Sequence, residues 1–245
     1  MATHEQNTSP HIMSAYEDEL AQLNNFILEM GGRIEAQLSA AISAMMRRDS
    51  TAAERLIAYD KEIDALEEKI NDLAVRTLAL RQPMASDLRM IVAVIKMSND
   101  LERFGDYAKN IAKRTLVINQ SPPIRAINSV PRMAELVQRM LDEVLTAFVK
   151  RDSEQAHAVW ARDSEVDESY NSLFRELLTY MMEDPRNITA ATHLLFVAKN
   201  IERMGDLITN VAETITFAAE GERMDSERPK RDITSLTDVP MPEDS

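Results

Sequence analysis

No cysteine occurs in the 245 residues, so disulfides, thiolate zinc sites and cysteine nucleophiles are excluded, and a reducing compartment fits. Glycine is scarce, at five residues, and aromatic side chains make up 5%. With Ala, Leu, Met, Glu and Arg abundant, that shortage favours helices over sheet. No apolar run approaches the ~18 residues needed to span a bilayer, and no basic-apolar-small pattern of a signal peptide opens the chain. A soluble, cytoplasmic protein is expected. Positive charge is also short, 28 Lys and Arg against 41 Asp and Glu, a net charge of −13. Affinity for phosphate backbones comes mainly from Lys and Arg, so nucleic acid is a poor partner. No phosphate loop, nucleophile elbow or Rossmann glycine pattern is present, which points away from an enzyme.

What is present is helical periodicity. Leu20, Leu23, Ile27, Met30, Ile34, Leu38, Ile42 and Met45 step by three or four. Asp49-Ser50-Thr51 offers a turn and an N-cap. A second run, Leu56, Tyr59, Ile63, Leu66, Ile70, Leu73, Thr77 and Leu80, has the alternating spacing of a bundle seam. Pro83 ends it, and a third helix is predicted from about Ser86 to Val117. Asn119 to Pro123 is the strongest interior break. A fourth helix is predicted over about Ser129 to Lys150, a fifth through Val159, Val166, Leu173 and Leu177 to near Asp184-Pro185, and a sixth over Ile188 to Ala219.

The second half repeats the first. Arg48-Asp49-Ser50 recurs as Arg151-Asp152-Ser153, and Asp60-Lys-Glu-Ile63-Asp64 as Asp163-Ser-Glu-Val166-Asp167, each 103 residues on. Leu101-Glu102-Arg103-Phe104-Gly105-Asp106 recurs as Ile201-Glu202-Arg203-Met204-Gly205-Asp206, 100 residues on. The expected fold is all-α, two tandem, sequence-related three-helix bundles built from six long helices. The organisation reads as a frayed N-terminus (1–14), a first bundle (15–118), a linker (119–128), a second bundle (129–220) and a disordered acidic tail (221–245).

At ~100° per residue, Glu102 and Asp106 lie about 20° to either side of the direction of Ile95, on the stripe of Ile91 and Leu88. Glu202 and Asp206 continue the line of Ile188, Ala191 and Leu195 in the same way. Acids therefore interrupt an apolar stripe in both copies. Like charges at i and i+4 disfavour a helix by ~0.2–0.5 kcal/mol, and removing an unpaired carboxylate from water costs roughly several kcal/mol. A cation is the direct compensation: Mg, Mn, Ca or iron accept carboxylate oxygens from one helical face. Asp60 and Asp64, and Asp163 and Asp167, share the four-residue spacing and could complete a four-carboxylate set in each half. Asn110 and Asn210, one turn on, could add an amide oxygen or orient a ligand; Asp100 neighbours the first motif and joins these as a supporting candidate. The plainer alternative pairs Glu102 with Arg103 or Arg89 in an interhelical salt bridge. Gly105 and Gly205 each cost ~1 kcal/mol inside a helix, which close helix approach would explain. Glu154-Gln-Ala-His157 has the Glu-x-x-His spacing of di-iron bundles, but Glu54 stands where a second histidine is required, so coincidence is the better reading. His193 reads as a core or boundary histidine, and the methionines as core filler.

The duplicated Glu-Arg-x-Gly-Asp, with Met30-Gly31, Asp60-x-x-Ile63-Asp64, Pro83-Met-Ala-Ser-Asp87-Leu-Arg89, Asn110 and Asn210, resembles the PhoU family of phosphate-signalling regulators over roughly residues 15–220. The resemblance implies two similar three-helix bundles whose acidic motifs bind divalent or trivalent metal ions, with Mg, Mn, Fe or Zn open. It implies association with the phosphate ABC transporter through its ATPase subunit, and with the sensor histidine kinase of the phosphate two-component system. It implies negative regulation of phosphate uptake and of that signalling when phosphate is plentiful, with a homodimer as one assembly. Asp87 and Arg89 are a candidate partner surface that only the first half keeps, since the second reads Asp184-Pro185-Arg186-Asn187-Ile188.

Two other functions compete. One is a metal-dependent phosphatase or hydrolase in which the carboxylates activate water and Arg103 and Arg203 hold an anionic substrate. The other is a helical adaptor whose acids form structural salt bridges only.

Overall fold

The computed structural model describes residues 10–222 and Met224. It is helical as expected: α1 Pro10–Arg47, α2 Ser50–Arg81, α3 Ala85–Ile118, α4 Val130–Lys150, α5 Ser153–Trp160, α6 Asp163–Glu183 and α7 Ile188–Glu220. Short 3₁₀ turns at Arg125–Ser129 and Pro185–Asn187 lead into α4 and α7. The predicted helix starts and stops agree within a residue or two, with two exceptions. α1 begins at Pro10, inside the segment expected to fray; proline suits a helix's first turn because its missing N–H has no partner there anyway. Residues 1–9 of that segment, and the tail from Asp225 on, lie outside the described residues. The predicted fifth helix is two pieces, α5 and α6, broken at Ala161-Arg162. The break follows Trp160, whose indole N–H donates to Glu213 of α7 at 3.0 Å, and Arg162 there bridges Glu143 and Glu165.

The repeat extends to backbone detail. Asp49 caps α2 by accepting from the Ala52 amide, and Asp152 caps α5 by accepting from the Gln155 amide, both at 2.9 Å. The residue before each cap, Arg48 and Arg151, takes the left-handed conformation, φ 56° and 53°.

Within each half three helical layers pack together, and α3 and α7 form the most extensive contact of all, joining the halves. They run antiparallel: Arg89 meets Ala218, Lys96 meets Phe217, Tyr107 meets Arg203 and Arg114 meets Phe196 and His193. A second seam joins α1 to α4, where Gly31 lets Leu145 seat against the α1 backbone. One continuous apolar core therefore runs through both bundles, from Leu23 and Ile34 to Leu194 and Ile215. No helix among the described residues is long and apolar enough to cross a membrane.

Candidate functional site

Gly105 positions the first acidic set. A Cβ there would stand 3.2 Å from Ile63 Cδ1 and from Gln37 Oε1, so only glycine lets α2 lie this close to α3 without displacing a neighbour. Ile63 lies between Asp60 and Asp64, so the approach carries that pair toward Glu102 and Asp106. Gly205 does the same against Val166, which lies between Asp163 and Asp167. Close helix approach is thus the use of both glycines.

In the first half the acids share a cation that the sequence reading missed. Lys109, one turn beyond Asp106, donates to Asp106 at 2.5 Å and to buried Asp60. Burial alone would lower its pKa, but these two hydrogen bonds and charges outweigh it and hold the ammonium above the ordinary lysine value. Glu102 is half-buried and lacks such help. Burial, then the charges of Asp106, Asp64, Asp60 and Glu67, push its carboxyl up to about 7. Asp64 is exposed, because it falls on the rim of α2 while Asp60 turns inward. Its pKa is nevertheless raised, by burial of its carboxyl and then by the charge of Asp60.

The second set lies deeper. Asp163, Asp167 and Glu202 are 2%, 4% and 6% exposed, whereas Asp106 in the first set has a side chain 41% exposed. Lys199 donates to Glu202 Oε1 at 2.9 Å and lies 4.9 Å over the Tyr170 ring. Burial raises the Glu202 pKa despite that bond, with Asp206 and Asp167 adding to the rise. Its other oxygen, Oε2, is buried with no hydrogen-bond partner. The neutralising lysine thus sits after the motif in one half and before it in the other. Both were visible as i, i+3 pairs with an acid of the motif.

One expectation needs correction. Leu88 and Ile188 are exposed, so the apolar stripes that carry the acids start one turn later, at Ile91 and Ala191. Asp100 and Asn210 meet each other across the two halves. Asn210 donates its side chain to Asp100 across the α3–α7 seam, and burial, moderated by Arg103 and that bond, pushes the Asp100 carboxyl up to about 6. Asp87 and Arg89 are half-buried and engaged within the chain. Tyr16 donates its hydroxyl to Asp87 at 3.0 Å, and Arg89 reaches the Ala218 carbonyl and packs on Gly221, where a guanidinium suits the carbonyl end of α7. His157 stacks on Trp160, 5.5 Å between ring centroids, and takes part in no acidic cluster found among the described residues.

Among the described residues, no three His, Asp or Glu side chains converge closely enough to hold a metal ion as they stand. In the first half the reason is visible: the Lys109 ammonium lies between Asp60 and Asp106. The donor chemistry still suits a hard cation, with carboxylates that raise each other's pKa values in both sets and an unsatisfied buried oxygen on Glu202.

Comparison with known proteins agrees with this fold. The family model described as the PhoU domain matches twice, over residues 27–115 and 130–215. A phosphate-specific transport system accessory protein PhoU homolog of Caulobacter vibrioides is 51% identical over 226 residues, 92% of this chain and 98% of that one. The crystal structure of PhoU from Pseudomonas aeruginosa superposes with a TM-score of 0.80 at 37% identity, covering 84% of this chain and 100% of that chain. The phosphate transport system regulatory protein PhoU from Streptococcus pneumoniae gives the same TM-score at 29% identity, covering 86% and 100%.

Proposed function

The chain belongs to the PhoU family, and from that premise we propose that it is a negative regulator of phosphate uptake and of the phosphate-starvation two-component response. It turns over no substrate. It acts in the cytoplasm, as a homodimer, as a metal-binding adaptor between the ATPase subunit of the phosphate ABC transporter and the sensor histidine kinase. The observation that carries the reading is the family match through both bundles, by relatives whose names are those of accessory and regulatory proteins.

In this reading Asp60, Asp64, Glu102 and Asp106 hold metal in the first bundle, and Asp163, Asp167, Glu202 and Asp206 in the second. A bound ion would supply charge neutralisation to carboxylates that burial and mutual repulsion disfavour, Glu202 foremost. The lysines support a second reading, a metal-free adaptor, because Lys109 and Lys199 already neutralise part of each set.

Deleting the protein should switch on a phosphate-starvation reporter in phosphate-rich medium; an unchanged reporter overturns the regulatory role. Elemental analysis of wild type beside a Glu102→Ala, Glu202→Ala double variant separates the two adaptors. Metal lost in the variant supports the first, and none in either supports the second. A pull-down with the transporter ATPase tests the partner.

A further inference from the structure

The repeated motif has a basic member whose placement is decided by tertiary structure. Because α3 and α7 run antiparallel with the two motifs side by side, Arg103 and Arg203 line one cleft between the bundles. It has a volume of about 370 Å³ and is shared with Tyr107, Asp206, Leu207 and Asn210. The Arg203 guanidinium lies 6.0 Å from the centroid of the Tyr107 ring. A cation–π approach of this kind consumes no hydrogen-bond acceptor, so the guanidinium N–H groups still call for one. Arg103 has a side chain 57% exposed and stands 3.9 Å from sheltered Asp100, at the outer limit of an ion pair, so its outer donors remain open to the cleft. A chain of net charge −13 thus turns two guanidinium groups, one from each bundle, onto the same cavity.

We infer that this cleft binds a small tetrahedral oxyanion of the phosphate class, gripped from both sides by Arg103 and Arg203. Planar guanidinium groups meet such an anion through paired N–H donors, which is why arginine suits the task. Asp206 on the same wall sets the preference. Its carboxylate has about four lone-pair sites and can accept from the hydroxyl of hydrogenphosphate while keeping its other contacts. Sulfate carries no proton at neutral pH and offers that carboxylate only repulsion. Phosphate is therefore favoured over sulfate. The anion would bridge α3 and α7, so occupancy would tie the two bundles together. What the site does for transport rests on the regulatory reading above; binding itself needs no partner.

The test is titration of the full chain, in chelator, with inorganic phosphate and separately with sulfate, followed by calorimetry and by the thermal midpoint. Saturable phosphate binding with a rising midpoint is expected, with sulfate weaker by about tenfold or more. Arg103→Gln and Arg203→Gln should each weaken phosphate by about tenfold or more, while Arg33→Gln, on α1 between Glu29 and Glu62 and not part of the cleft lining, should leave it unchanged. Should either glutamine variant fail to fold, Arg103→Lys and Arg203→Lys carry the test, since lysine keeps the charge and loses the paired donors. Unsaturable binding, equal binding of sulfate, or phosphate affinity indifferent to both arginines overturns the proposal. So does a cleft that responds to an acidic or phosphorylated partner protein and not to free phosphate. A silent deletion reporter with intact phosphate binding would overturn the regulatory reading alone.

Discussion

Asp60 of α2 and Lys109 of α3, 49 residues apart in sequence, are joined in a half-sheltered ion pair, and the same ammonium holds Asp106 at 2.5 Å. The lysine thus ties two helices together at the point where acids would drive them apart. Lys109→Met keeps most of the apolar stem and removes the charge. It should destabilise the chelator-treated protein by about 1–3 kcal/mol, the cost of leaving sheltered acceptors unsatisfied. If the acids also bind a metal, Mn or Mg should rescue this variant more than it stabilises wild type. Melting curves with chelator and with each ion check both points; a variant as stable as wild type in chelator would show that Lys109 does not hold the set together.

Glu102 makes stability depend on pH. Its carboxyl ionises near its ordinary 4.5 when unfolded and near 7 when folded. Between those values the native state binds more protons, so stability falls as pH rises through the window. Glu102→Gln should therefore gain relative to wild type at pH 8 and gain nothing at pH 4. The gain is about 1 kcal/mol at most, because water screens this half-open site. Chemical denaturation of both proteins at the two pH values measures it, and an equal difference at both would contradict the assignment.

Adjacent glycines of α1 should respond in opposite ways. A Cβ on Gly31 would fall 2.3 Å from Leu145 Cδ1 at the seam with α4, whereas one on Gly32 meets nothing within 4 Å. Gly32→Ala should stabilise by up to about 1 kcal/mol through helix propensity alone. Gly31→Ala must first displace Leu145, and should be destabilising by about 1–3 kcal/mol as an overpacked site. Thermal melts of the pair decide the matter, and similar shifts for both would remove the seam argument.

The left-handed arginines before α2 and α5 should also differ. Arg48 Nη2 donates to the carbonyls of Asn119 and Ser121 at 2.8 and 2.6 Å, fastening the end of α3 to the first turn. Arg48→Ala should cost about 1.5–3 kcal/mol, the range for hydrogen bonds from a charged group. Arg151 is exposed at the same backbone conformation, φ 53°. Arg151→Gly should be neutral or stabilising by up to about 1 kcal/mol as strain is relieved. Denaturant midpoints of the two variants provide the comparison.

The repeat, most helices and most of their ends were legible in the letters because each depends on neighbours three or four residues away. Asp49 and Asp152 cap because an aspartate stands where an amide needs an acceptor, and the apolar positions of α1, α2 and α4 recur at the helical period. The acids of the two motifs could be placed near the core by the same angular reckoning, as could the reason for Gly105 and Gly205. The break between α5 and α6 was not legible, since it accompanies a contact between Trp160 and Glu213, 53 residues further on.

Periodicity and local chemistry in the sequence thus determined the family's twofold plan, most helix boundaries and which acids share a face. Only the packed structure decided which cations meet those acids, that Asn210 serves Asp100 of the other bundle, and that Arg103 and Arg203 open onto one cleft. The physical reason is range. A helix is specified within a turn or two, whereas the encounter of side chains 50 or 100 residues apart depends on how closely Ile63, Val166 and Leu145 allow the helices to approach.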